Sequence, residues 1–299
     1  MTDTANPPRP CWTDRLELGE GIRWFDGRLV LVDILAGRLL QAPDERNAAP
    51  EGALRELLRL PMPLGAVAPV SGRPGWWIAA AGTGVCLIRP DGGLDWLARP
   101  EDTRPLRTRM NDGVADPHGR FWAGSMAYDA TEDAGSLYRV GPDGAVTRVL
   151  DGITVPNGPA FTADGTVMYL ADSARGMIRR YAVDAASGAV GAVETFAVVD
   201  NPAAPDGMTV DRRGGLWVAV WGAGAVHHYR EDGTLARIVP VPAVQPAGVC
   251  LGGPDRRTLF ITSARTGLKD PGALDGAVFA LRVDTPGLPA PSFRLAAPR

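Results

Sequence analysis

Six short apolar runs of strand character, at residues 29–33, 76–80, 121–125, 168–172, 216–220 and 259–263, recur along this chain with starts about 43 to 48 residues apart. Most follow a turn rich in Asp and Gly, such as Asp26-Gly27, Asp164-Gly165 or Asp211-Arg212-Arg213-Gly214, which supplies the positive backbone angles a hairpin needs. After most of them a second strand run follows at a short interval, about 5 to 14 residues on, at 85–88, 136–140, 178–183, 226–229 and 277–281. A unit of this size, holding about four strands, cannot bury its apolar faces alone and must stack on its neighbours. The pattern therefore predicts an all-β fold: a six-bladed β-propeller with four-stranded antiparallel blades around a central channel. The expected layout is an N-terminal tail over residues 1–13 and a single propeller domain over 14–299. The helical spacing of Leu54, Leu57 and Leu58, within 51–60, is read as an excursion between strands.

Composition excludes several partners. A formal net charge of −3 leaves no basic stripe for nucleic acid. Residues 1–12 carry Asp and several Pro without an apolar core, which does not read as a secretory signal, and no run approaches a membrane span. Cys11, Cys86 and Cys250 are far apart and lack CxxC spacing, so a reduced, cytoplasmic chain with packed thiols is the simplest reading. The expectation is a protein with neither nucleic-acid nor membrane partners, a monomer or weak homo-oligomer.

Chemistry concentrates at one phase of the repeat. Glu20 in Gly19-Glu20-Gly21, Asn111-Asp112 before Gly113, Asn157 before Gly158 and Asp206 before Gly207 each stand shortly ahead of an apolar run. A closed ring would aim all four at one point of its axis, a coincidence that turn chemistry alone does not explain. The other two repeats carry Gly65-Ala66 and Ala247-Gly248 there, small residues expected to leave the channel open. Histidine chemistry is excluded, since His118 sits in a turn and His227 and His228 are strand neighbours facing opposite ways. No GxSxG elbow, GxGxxG fingerprint or phosphate loop is present. What remains is oxygen chemistry: the Glu20, Asn157 and Asp206 side chains form a hard donor set for a divalent ion. Tryptophans such as Trp76, Trp122 and Trp217 are assigned to packing between blades.

At these residues the chain resembles the senescence marker protein-30, gluconolactonase and luciferin-regenerating-enzyme family. The resemblance rests on Gly19-Glu20-Gly21, Arg109-Met110-Asn111-Asp112-Gly113, Ala123-Gly124-Ser125-Met126, Asn157-Gly158-Pro159 and Pro205-Asp206-Gly207-Met208, within an ordered set spanning about residues 14 to 283. It implies a metal-dependent hydrolase opening sugar lactones, aldono-1,4- or 1,5-lactones, to the sugar acid, and the pattern is most like the bacterial sugar-acid lactonases. It further implies one divalent ion, calcium foremost, with zinc, manganese, magnesium or iron(II) as alternatives. Carried across by motif, Glu20, Asn157 and Asp206 would hold the metal, Asp206 would also be the catalytic base, and Arg109, Asn111 and Asp129 would bind substrate. Asp129 stands where the family often has Glu, Val114 where it often has Lys, and Ile22 where it often has Pro. Two other readings stay open, a phosphotriesterase-like hydrolase and a non-enzymatic calcium-binding propeller.

Overall fold

The computed structural model describes residues 7–43 and 52–296 and shows a six-bladed propeller. Its blades are antiparallel four-stranded sheets in the orders β2-β3-β4-β5, β6-β7-β8-β9, β10-β11-β12-β13, β14-β15-β16-β17, β18-β19-β20-β21 and β22-β23-β24-β1. The six apolar runs of the sequence are the second strands: β3 (Arg28–Asp33), β7 (Trp77–Ala81), β11 (Phe121–Ala127), β15 (Val167–Asp172), β19 (Leu216–Trp221) and β23 (Thr258–Ser263). They read clearly because both faces are buried between neighbouring blades.

Two expectations are corrected. Residues set apart as a tail belong to the ring: β1 (Arg9–Pro10) pairs antiparallel with β24 (Phe279–Arg282), so the start of the chain completes the last blade. The segment with helical leucine spacing contains β5 (Arg55–Arg59), the outer strand of the first blade, paired with β4 (Arg38–Gln41). Sheet pairing overrides a three-leucine periodicity too short to nucleate a helix. Glu51 lies outside the described residues.

The core sits between blades. Ala66, Ile78 and Val85 of the second blade pack against Met110, Phe121 and Tyr138 of the third, and similar apolar seams repeat around the ring. Trp122 and Trp217 are buried there, and their indole N–H groups donate to Asp116 and Asp211 at 2.9 and 3.0 Å. These aspartates also accept backbone N–H bonds from their own turns, so one residue type both shapes the hairpin and satisfies a buried indole. Cys86 and Cys250 are buried, and burial pushes each thiol up to about 12, as inert packing groups require.

Candidate metal centre

The innermost strands are β2 (Gly19–Phe25), β6 (Leu64–Pro69), β10 (Thr108–Ala115), β14 (Pro156–Phe161), β18 (Ala204–Val210) and β22 (Pro246–Gly252). Each breaks register with its partner near its start. The breaks fall between Glu20 and Arg23, Leu64 and Ala66, Met110 and Gly113, Asn157 and Ala160, Pro205 and Met208, and Pro246 and Val249. A bulge inserts an extra residue, bends the strand and re-aims its side chains. Six bulges at one level turn the shared phase of Glu20, Asn111-Asp112, Asn157 and Asp206 into a ring of polar groups at one end of the channel.

The glycines and alanines of this ring serve close packing. A Cβ on Gly65 would stand 2.0 Å from the Asn111 carbonyl oxygen, and one on Gly248 would meet Thr262 Oγ1 at 2.8 Å and Glu20 Oε2 at 3.0 Å. The small residues expected to leave the channel open instead let adjacent strands and the Glu20 side chain approach. Gly207 does the same, with Glu20 Oε2 at 3.2 Å from its Cβ direction, so Glu20 reaches past the sixth blade to the fifth.

A string of hydrogen bonds joins the ring. Arg109 Nη1 donates to Asn111 Oδ1 at 2.7 Å, and Asn111 Nδ2 donates to Asn157 Oδ1 at 2.8 Å and to the Pro156 carbonyl at 3.0 Å. Asn157 Nδ2 donates to Ser173 Oγ at 2.8 Å, and Ser173 donates to the Pro205 carbonyl at 2.6 Å, beside Asp206. Asp112 lies beneath, accepting from Gly113 N at 2.7 Å and Gly158 N at 3.0 Å and pairing with Arg23 at 3.6 Å. It ties the third blade's bulge to the fourth's and carries its charge into the channel.

Glu20 and Asp206 are both buried and close enough for each carboxyl to act on the other's proton affinity. Burial lifts the Glu20 carboxyl well above its ordinary range, and the charges of Asp206 and Asp112 add to the rise. Burial, then the Asp112 charge, pushes Asp206 up to about 8. Glu20 Oε2 accepts from Gly21 N at 2.9 Å, whereas Oε1 is buried and receives no hydrogen bond. A buried carboxyl pair and an orphaned oxygen are what a hard cation would satisfy, and Asn157 Oδ1, which accepts one hydrogen bond, retains a lone pair. Among the described residues no three His, Cys, Asp or Glu side chains form a metal site by themselves, so an ion here would need the Asn157 amide.

These shifts have a measurable consequence. Both folded-state values exceed those of the unfolded chain, so the metal-free fold is favoured while the pair is protonated and loses that advantage as pH rises from the ordinary carboxylate range through about 8. The metal-free protein should melt roughly 5 °C lower at pH 9 than at pH 5.5. A divalent ion should raise the melting temperature more at pH 9, where it replaces the lost protons. Melting curves unchanged by pH and by metal would show that the two carboxyls are not coupled.

Of the expected substrate contacts, Arg109 is buried at the ring; its Nη1 also donates to the Met110 carbonyl at 3.0 Å, and its Nε and Nη2 make no hydrogen bond among the described residues. Asn111 has spent both donors on the protein and keeps one lone pair. Asp129 is not brought to the cluster. It is exposed on the turn after β11, and its Oδ1 accepts from Thr131 N and Oγ1 at 3.0 and 2.6 Å. Its neighbour Tyr128 is the residue that faces Arg109, with the guanidinium carbon 6.0 Å from the ring centroid. Ser173 and Asp112 carry the scaffold and lie next to motif residues; Ser173 is polar at a strand end, a signal that sequence spacing alone does not separate from a turn.

All three histidines lie elsewhere: His118 bonds the Asp164 carbonyl, His227 the Tyr229 hydroxyl and His228 Asp211. At the far end of the channel, a cavity of about 330 Å³ is lined by Arg23, Trp24, Phe161, Met208, Leu251 and Pro289. Its walls offer no carboxylate, so the acid chemistry belongs to the end that holds Glu20 and Asp206.

Comparison with known proteins agrees with this geometry. The SMP-30/Gluconolactonase/LRE-like region matches residues 18–265. The chain is 36% identical to a pentonolactonase of Haloferax volcanii over 284 residues, covering 91% of this chain and 93% of the relative. It is 33% identical to a 6-deoxy-6-sulfogluconolactonase of Pseudomonas putida, covering 92% and 94%. The crystal structure of a calcium-binding protein, regucalcin from Agrobacterium tumefaciens, superposes with a TM-score of 0.87 at 31% identity over 97% of this chain and 98% of that one. The bulged inner strands, the motif residues they carry and the extent of these matches place the chain in the SMP-30/gluconolactonase/LRE-like family.

Proposed function

We propose that this chain hydrolyses sugar lactones at the Glu20–Asp206 end of its channel, with one divalent ion held by Glu20, Asn157 and Asp206. The observation that carries this reading is the buried carboxyl pair with its unpartnered Glu20 Oε1, next to an arginine with free donors. Relatives that are pentonolactonase and sulfogluconolactonase support the substrate class, and a calcium-binding structural relative supports calcium as the first ion to test. A bound divalent ion would supply Lewis acidity toward a carbonyl oxygen.

The chain's own residues do the rest. Asp206 has the raised proton affinity of a general base near neutral pH and would take the proton of a water attacking the lactone carbonyl. An ion held by Glu20, Asn157 and Asp206 would lower that affinity, and Asp206 would remain the chain's acceptor for the proton of the attacking water. Arg109 offers a planar donor fork to ring or hydroxyl oxygens, held in place by Asn111 and the Met110 carbonyl. Asn111 positions both Arg109 and Asn157, and its remaining lone pair can accept from a substrate hydroxyl. Glu20 is buried beside Asp206, where its second oxygen is left for an ion.

The test is acid release in a pH-stat from a panel of sugar lactones, with calcium, zinc, manganese, magnesium and iron(II) supplied in turn. Turnover of at least one aldonolactone well above its spontaneous opening is expected. A phosphotriester turned over faster than every lactone would transfer the assignment to that chemistry. No turnover of any ester, with calcium still bound, would make the chain a binding propeller.

Arg109→Ala should separate binding from chemistry. It removes a donor remote from the bond that breaks, so the Michaelis constant should rise by the equivalent of roughly 1 to 3 kcal/mol while metal affinity changes little. Metal loss on this substitution, measured by calorimetric titration, would show that Arg109 supports the ligand set instead.

A further inference from the structure

We propose that Arg107, Tyr128 and Arg109 form an outer subsite at the channel mouth that selects lactones carrying an anionic group far from the carbonyl. This rests on the lactonase reading and adds a substrate class to it.

The three residues are placed by the ladder between β10 and β11. Thr108 pairs with Ala127 and Arg109 with Met126, and the Tyr128 N–H donates to the Arg107 carbonyl at 3.1 Å, one rung further out. Residues two apart on a strand share a face, so Arg107 and Arg109 stand in file, one at the rim and one at the ring. Both address the same aromatic: the Arg107 guanidinium carbon is 4.5 Å and that of Arg109 6.0 Å from the Tyr128 ring centroid. Tyr128 is 40% exposed, a large aromatic that packing does not account for.

The charge of Arg107 at the rim is uncompensated, while Arg109, further in, feels the charges of Asp206 and Glu20. Among the described residues neither Arg107 nor Arg109 has a carboxylate within ion-pair range, although acidic residues are close by in sequence. Those acids are engaged: Asp129 caps its own turn through Thr131, and Glu132 and Asp133 pair with Arg175 at 3.1 and 2.8 Å. Two guanidiniums near one ring, with Nε and Nη2 of Arg109 still unbonded, offer N–H donors that suit a carboxylate, sulfonate or phosphate oxygen pair. The ring itself gives the sugar an apolar surface. Because the string from Arg109 through Asn111 to Asn157 leads inward, an anion held here would sit on the side of the substrate away from the reacting carbonyl.

The experiment compares a neutral aldonolactone with the same ring bearing a terminal carboxylate. It is paired with calorimetric binding of the corresponding hydrolysis-resistant lactams, which requires no turnover. The wild-type protein should favour the carboxylated member of each pair by roughly tenfold, with the preference shrinking as sodium chloride is raised to about 0.5 M. Arg107→Ala should lower the ratio of kcat/KM for the carboxylated lactone to that for the neutral one by about tenfold, through KM, and Arg107→Glu should invert the ratio. Arg107→Lys should keep part of the preference. A ratio unmoved by these substitutions, or a wild-type preference for the neutral compounds, overturns the subsite. If no lactone is turned over, the lactonase reading fails, and the lactam affinities alone decide the subsite: carboxylate-dependent binding lost in Arg107→Ala upholds it, and equal binding overturns it.

Discussion

Chelation should reduce hydrolysis of an aldonolactone to the spontaneous rate, and return of a hard divalent ion should restore it. The size of this effect follows from what the chain lacks at the channel mouth. His118, His227 and His228 are all engaged away from it, and Cys86 and Cys250 are buried as neutral thiols. Without the ion, burial and neighbouring negative charge raise the proton affinity of Glu20 and Asp206, so the base is occupied near neutral pH and no cation offsets the oxyanion of an opening lactone. Loss of electrostatic stabilisation of that kind costs two to three orders of magnitude or more. The measurement is acid release before and after dialysis against a chelator, with metal content followed in parallel. Full activity in a sample shown to be metal-free would refute the assignment of Glu20, Asn157 and Asp206 as ligands to a catalytic ion.

The architecture was legible where burial imposes composition. Second strands such as Leu216–Trp221 lie between blades with both faces covered, so they must be apolar, and their recurrence counts the blades. Outer strands such as Arg55–Arg59 face solvent and carry charge, so nothing in their composition announces a strand. The closing strand is two residues long, and Arg9 and Pro10 join β24 only because the ring brings the two ends of the chain together. Inner strands were legible as motifs and not as strands. Runs like Pro156–Phe161 and Ala204–Val210 hold Pro, Gly, Asn and Asp, which strands ordinarily avoid, and they persist because bulges and neighbouring blades hold them.

The site divides along the same line. The phase of Glu20, Asn157 and Asp206 within the repeat is written in the sequence, because each must precede a glycine or sit in a bulge to approach its neighbours. What each partner does is tertiary. The bond from Asn111 to Asn157 joins residues of different blades, and Glu20 of the first blade reaches Gly248 of the sixth and Gly207 of the fifth. The exchange of Asp129 for Tyr128 at the Arg109 side depends on the β10–β11 register, which a one-residue difference in the turn decides.

Asp206→Asn should lower turnover at least about a hundredfold. The amide keeps the shape of the side chain and one oxygen able to face a cation, so folding and part of the metal binding should survive. It removes the proton acceptor and one of the two negative charges that make the site attractive to a divalent ion. In the metal-free protein the substitution also removes the facing carboxyl that helps raise Glu20, so the fall in melting temperature between pH 5.5 and pH 9 should become smaller. Turnover at saturating ion separates a base from a mere ligand. A ligand alone would show weakened metal affinity with turnover recovered at saturating ion, whereas a base leaves turnover low however much ion is supplied. Near-normal kcat at saturating calcium would therefore remove Asp206 from the chemistry and leave it as a ligand, with the proton passing to another acceptor in the ring.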